Sequence, residues 1–340
     1  MRCINNLKEM KRSEAVRYLF LSVFTGVLCI FLAVLIGFGI FYHEYPVYTN
    51  VTAYETTQYT KDLKKAELYA SDLCVSENDV AVNGYTVDET LHAAALFDVT
   101  NKKVVEGFHL HSVIYPASTT KVLTAYVTLK HGDLDDIVTV SDSITTLPSD
   151  AQVCGLQPGD QLSLYDLLSG LLLYSGNDNA IAIAEYISGS VDEFAALMNE
   201  EAARLGATNT HFVNPHGLHS DDHYTTPYDL YLIFQACMEY PAFNEITALT
   251  SKDVTITRAD GTSRTVTWYP TNYYSTGDAV MPENLTNLGG KTGTTDEAGN
   301  CLIIHSISEK GNLYISMIMG ASDKSIVYEQ MNAMLSAGTK

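Results

Sequence analysis

The stretch Ile114–Gly132, "IYPASTTKVLTAYVTLKHG", is the hinge of the chain. It reads as one helix, apolar on nearly every side through Val122, Leu123, Ala125, Val127 and Leu129, with Pro116 near its start and Gly132 at its end. Before it, "LHAAALFDVTNKKVVEGFHLH" (91–111) sets two apolar runs around "TNKK", which predicts a hairpin. After it, the chain from Leu134 to about Gln235 is mainly helical in period. "LSLYDLLSGLLLYS", "NAIAIAEYISGS" and "VDEFAALMNEEAARLG" are broken by glycine and serine signals. Strand chemistry then returns. "DVTITRADGTSRTVTWY" (253–269) alternates about Asp-Gly, while "GGKTGTT" (289–295) and "NCLIIHSISEKGNLYISMIMGAS" (300–322) supply three further strands. "KSIVYEQMNAMLSAG" (324–338) closes as an amphipathic helix. Strands at both ends with helices between them predict an α/β fold: one antiparallel sheet flanked by helices, with an all-helical subdomain inserted.

The N-terminal segments stand apart from this pattern. Residues 18–42 hold no charged side chain, and 25 residues in a helix reach about 37 Å, more than the ~30 Å hydrocarbon layer. A cleaved signal peptide has a shorter apolar region ending at a small-x-small site, and "FYHEYPVYTN" offers none. One transmembrane helix is therefore expected. Arg2, Lys8, Lys11, Arg12 and Arg17 precede it against Glu9 and Glu14, so residues 1–17 are expected in the cytoplasm and the rest outside. Residues 43–70 read as a stalk and residues 71–340 as the functional domain.

The net charge of −20 includes +3 from the first 17 residues, so the remainder carries −23, which excludes an electrostatic footprint for nucleic acid. Outside the tail and span stand Cys74, Cys154, Cys237 and Cys301. They permit three pairings, and a bridge and free buried thiols fit equally. No C-x-x-C spacing suggests a zinc knuckle.

The chemistry starts with Ser118 and Lys121, three apart and so on one helix face. An ordinary lysine, with a pKa near 10.4, is almost wholly charged at neutral pH. Burial and a neighbouring cation both favour the neutral amine, which can take a serine proton. Two downstream elements complete a set: "YSGNDN", with Ser175 and Asn177 at a helix break, and "GGKTGTT" on an expected edge strand. Glycines there let a ligand's backbone approach, and Lys291 and Thr292 offer a cation and a hydroxyl to a carboxylate. Each motif alone is weak; S-x-N recurs at Ser76–Asn78. Their order carries the weight.

Serine, S-x-N and K-T-G in that order match the signature of penicillin-interacting enzymes. With "YPASTTK", "GLQPGDQLSLYDLLSGLLLYSGNDNA", "FAALMNEEAARLGATNTHFVNPHGL", "HYTTPYDL" and "GGKTGTTDEAGNCL", the chain from Leu91 to Ala337 resembles the low-molecular-mass penicillin-binding proteins of the serine D-alanyl-D-alanine carboxypeptidase family. The resemblance implies that Ser118 is acylated by the penultimate D-alanine of a peptidoglycan stem peptide, or by a β-lactam, with Lys121 as base. It implies that Ser175 relays the proton and that Asn177 holds Lys121 and the substrate amide. Lys291 and Thr292 would hold the terminal carboxylate, Gly293 would give room, and the N–H groups of Ser118 and Thr294 would form an oxyanion hole. It calls for no cofactor or metal. Asn179 and Thr294 depart from residues common in the family.

The other readings have weaker support. "HGLHSDDH", with His216, His219 and His223 near Asp221 and Asp222, suggests a metal cluster but lacks H-E-x-x-H. A class A β-lactamase requires a glutamate some way beyond S-x-N, where "NTHFVNPHGL" has none. A non-turnover β-lactam sensor calls for a cytoplasmic signalling part, and 17 residues precede the span. A D,D-endopeptidase is the nearest variant.

Overall fold

A computed structural model describes Arg17, residues 23–28, Ala70 and residues 72–339. The chain divides into two compact units, Met1–Tyr69 and Ala70–Lys340. In the first, residues 23–28 are helical and exposed. The rest of the expected anchor and nearly all of the stalk lie outside the described residues. Among the described residues no helix is long and apolar enough to cross a membrane.

The second unit is built around a five-stranded antiparallel sheet. Its strands are β1 (Ala93–Asp98), β2 (Lys103–Phe108), β7 (Leu285–Thr295), β8 (Gly299–Ser308) and β9 (Leu313–Ala321), in the order β2-β1-β9-β8-β7. Both ends of the unit thus share one sheet. β1 is buried on both faces, which is why its sequence is an unbroken apolar run rather than an alternation. Ala93, Ala95 and Phe97 face a core shared with most of the helices, while Ala94 and Leu96 face a smaller core closed by the last helix.

The helices, numbered within this unit, are α1 (Lys121–His131), α2 (Leu164–Leu173), α3 (Asn177–Ser188), α4 (Val191–Arg204), α5 (Pro227–Met238), α6 (Pro241–Ala248), the single turn α7 (Tyr273–Thr276) and α8 (Lys324–Gly338). Local chemistry fixes their starts. Ser163, Ser190 and Thr226 accept the N–H of the third residue beyond them, and Pro227 opens α5 where its missing N–H costs nothing. α1 is buried from Lys121 to Thr128, consistent with its lack of a polar face.

The insertion is not all-helical. A second antiparallel sheet, β3-β4-β5-β6, joins Ile137–Thr139, Gln161–Ser163, Lys252–Thr257 and Ser263–Trp268. The Asp-Gly hairpin therefore belongs to this sheet and not to the main one. β3 and β4 have three residues each, too few for a period of two to show in sequence. Cys74, Cys154, Cys237 and Cys301 are all buried free thiols, so none of the three pairings open to them is formed.

Three histidines, His223 and His305 buried and His216 partly so, link the fold to pH. Burial holds His216 and His223 down at about 3, and His305 at about 4. Between the ordinary value near 6.5 and those values the unfolded chain binds protons that the folded one refuses. Their contribution is intact above about pH 6.5 and is lost as pH falls through that window, about 3 kcal/mol for His305 alone. We expect the imidazole NMR signals of these three, among the chain's ten histidines, to stay at their neutral positions down to pH 5. Titration of all ten near 6.5 would contradict that.

Candidate active site

Ser118 lies in a 3₁₀ turn, Ala117–Thr120, that runs straight into α1. In such a turn the i and i+3 side chains eclipse, tighter than the α-helical spacing read from sequence. Lys121 Nζ is consequently 2.9 Å from Ser118 Oγ. The turn is held in an unusual backbone shape, with Ala117 at φ 47°. A non-glycine residue in that region costs on the order of 1–3 kcal/mol.

Lys121 is fully buried. Its Nζ also reaches Asn177 Oδ1 at 2.7 Å and the His216 carbonyl at 2.6 Å. Both partners can only accept. A neutral amine has two hydrogens and one lone pair, so these oxygens take the hydrogens and the lone pair faces the Ser118 hydroxyl. Desolvation, followed by the nearby Lys291 charge, holds the amine well below its ordinary value, against smaller upward pulls from Cys154 and Asp178.

The loop 213–223 is stitched to the serine turn and α1 at three levels. His216 accepts from Lys121, the Pro215 carbonyl accepts from Thr124 Oγ1 at 2.6 Å, and His223 Nε2 lies 2.7 Å from Thr120 Oγ1. Because Val213 N–H donates to His223 Nδ1, the ring hydrogen sits on Nε2 and points at the threonine. The three histidines do not converge: His219 faces Asp221 and Glu297. Among the described residues no group of three His, Cys, Asp or Glu side chains could hold a metal ion.

Ser175 sits at the break between α2 and α3 with φ 66°, again a strained position for a side-chain-bearing residue. Its Oγ accepts from Lys291 Nζ at 2.9 Å. Lys291 also donates to the Thr292 carbonyl at 2.8 Å, and burial lowers its amine to about 7. β7, the edge strand, presses against the Ser118 turn: a Cβ on Gly293 would stand 2.9 Å from Ser118 N. Only glycine permits that approach. Ser118, Ser175, Asn177, Thr292, Gly293 and Thr294 line one cleft of about 700 Å³.

Sequence reading missed three participants. The His216 carbonyl is a backbone acceptor and leaves no side-chain signal, although the glycine after it marks a special turn. Thr271, whose Oγ1 is 2.5 Å from Thr292 Oγ1, carries no motif. Asp178 is passed over beside Asn177. Gly217, at φ 85°, explains the special turn: an added Cβ would lie 1.9 Å from the Ala117 carbonyl oxygen. Gly217→Ala should therefore destabilise the domain by about 3 kcal/mol or more and disorder the serine turn. A wild-type melting temperature would argue against that packing.

A family model described as D-alanyl-D-alanine carboxypeptidase matches residues 82–323. The chain is 31% identical over 267 residues to the D-alanyl-D-alanine carboxypeptidase DacF of Bacillus subtilis, covering 74% of this chain and 64% of that one. It is likewise 31% identical over 274 residues to DacC of Escherichia coli, covering 76% and 65%. It thus spans just under two thirds of the length of these relatives. Among solved structures, the Streptomyces K15 DD-transpeptidase superposes with a TM-score of 0.70 at 25% identity, over 76% of this chain and 99% of that one. A penicillin-binding protein homologue from Mycobacterium tuberculosis gives 0.67 at 28% identity, over 76% and 96%.

Proposed function

The chain belongs to the D-alanyl-D-alanine carboxypeptidase family, and from that premise we propose that it is a membrane-anchored serine D,D-carboxypeptidase. It removes the terminal D-alanine from peptidoglycan stem peptides through an acyl-enzyme on Ser118, the oxygen that β-lactams also acylate. The observation that carries this reading is the 2.9 Å approach of a buried, proton-poor Lys121 amine to Ser118 Oγ.

Lys121 takes the hydroxyl proton as Ser118 Oγ attacks the penultimate D-alanine carbonyl. The N–H groups of Ser118 and Thr294 receive the developing oxyanion, at about 2.7–4 kcal/mol per donor. The close packing of Gly293 on Ser118 N supports this placement. Ser175 passes a proton to the departing D-alanine amine, and Asn177 holds both Lys121 and the substrate amide. Lys291 and Thr292 meet the terminal carboxylate, whose charge restores the Lys291 cation on binding. Water then attacks the ester and frees Ser118.

The uncharged run at 18–42 and the basic residues before it support an anchor with its N-terminus in the cytoplasm and the catalytic domain outside. The test is to incubate the full chain in detergent with a pentapeptide ending D-Ala-D-Ala. Free D-alanine is expected, with slow loss of a covalent penicillin label. Stable labelling without D-alanine release would favour a sensor, and rapid penicillin turnover a β-lactamase.

A further inference from the structure

The loop between β3 and β4 supplies part of the cleft wall through Asp150, Ala151 and Gln152, yet it belongs to no regular element there. What holds it is a carboxylate that the mechanism above does not use. Asp178, 2% exposed, is the second residue of α3 and directly follows Asn177. Its Oδ1 accepts the N–H of Cys154 at 2.8 Å, and its Oδ2 that of Leu156 at 3.0 Å. Beside it Asn177 N–H donates to the Gln152 carbonyl at 2.8 Å. The fit is tight, since a Cβ on Gly176 would lie 2.6 Å from Cys154 Sγ.

We propose that Asp178 is a positioning residue for this reaction: it hangs the cleft-wall loop on the start of α3 and thereby fixes Asn177 against the Lys121 amine. The inference rests on the carboxypeptidase reading of the site. Three features converge on it: a buried carboxylate, two backbone donors from one loop, and a neighbour in direct contact with the base. Burial lifts the Asp178 carboxyl above its ordinary value, while the N–H groups of Cys154, Leu156 and Asn179 and the start of the helix hold the charged form against it. The carboxylate also acts on the base at a distance. Lys121 is faced by Lys291 from β7, by Cys154 and Asp178, and by His216 and His223 from the loop 213–223. Of these, Asp178 and Cys154 pull its proton affinity up.

The test compares Asp178→Asn and Asp178→Glu with the parent full chain, reading D-alanine release and acylation by a fluorescent penicillin across pH. Asp178→Asn keeps the shape but loses the charge and an acceptor. Its kcat/KM and acylation rate should fall about 10- to 100-fold, the cost of an ångström-scale displacement at a reacting centre. The acid limb of its acylation profile should move to lower pH. Asp178→Glu should return that limb to the parent position. A merely structural residue would lower the amount of active protein and leave the limb where it was, so an unmoved limb with parent rates overturns the proposal. If Asp178→Asn does not fold, amide exchange on the parent decides. The Cys154 and Leu156 N–H groups should exchange as slowly as those within α3, and exchange at the rate of an exposed loop overturns the proposal. If the parent releases no D-alanine, the carboxypeptidase reading fails, while penicillin acylation and amide exchange still test the clamp.

Discussion

Ser118→Ala should take no penicillin label at all, and its D-alanine release should fall by about 10⁵- to 10⁶-fold, the loss typical when a serine hydrolase is stripped of its nucleophile. The size of the effect follows from the absence of a substitute. Ser175, a buried hydroxyl of the same cleft, is turned to Lys291 and not to Lys121. The variant should also fold normally. Ser118 Oγ makes only a weak 3.5 Å contact with the His216 carbonyl besides its bond to Lys121. Lys121 keeps Asn177 and His216 as partners when the hydroxyl is gone. A labelled Ser118→Ala protein would sink the assignment of the nucleophile.

Lys121→Met should lower acylation by about 10²- to 10⁴-fold, the usual worth of a positioned general base. Methionine fills nearly the same space, so the loss is one of chemistry. The same substitution carries a stability signature. The folded-state affinity of Lys121 for its proton is depressed, and that of Lys291 falls to about 7. Above those values and below the ordinary 10.4 the unfolded chain binds protons that the folded chain does not, so stability climbs as pH rises through that window. In Lys121→Met the climb should shrink, leaving the share of Lys291. Urea midpoints at pH 7 and pH 10 read it, and an unchanged difference would show that Lys121 is an ordinary charged lysine.

The elements that carry a strong local pattern were legible in sequence: the hairpin of β1 and β2, the central helix, the three C-terminal strands and the closing helix. The S-x-N and K-T-G motifs could be placed on a helix break and an edge strand for the same reason, whereas Ser118, read as inside the helix, lies in the 3₁₀ turn before it. What escaped reading is non-local. β3 and β4 exist because partners distant in sequence pair with them, Val138 with Leu162 and Gln161 with Thr257. The His216 carbonyl fixes the amine through an atom that every residue has, so no residue type announces it. Ala117 and Ser175 hold backbone shapes that their side chains do not favour, which propensity points away from. Asp178 carries no motif of its own, and only the folded loop shows which N–H groups it gathers.

The central claim is that Lys121 meets the substrate as a neutral amine. The direct measurement is the rate constant for acylation of the full chain by a fluorescent penicillin from pH 5 to pH 11. The geometry predicts an acid limb with its midpoint far below the ordinary lysine value of about 10.4, lost in Lys121→Met. A rate that keeps climbing to a midpoint near 10.4 would contradict it.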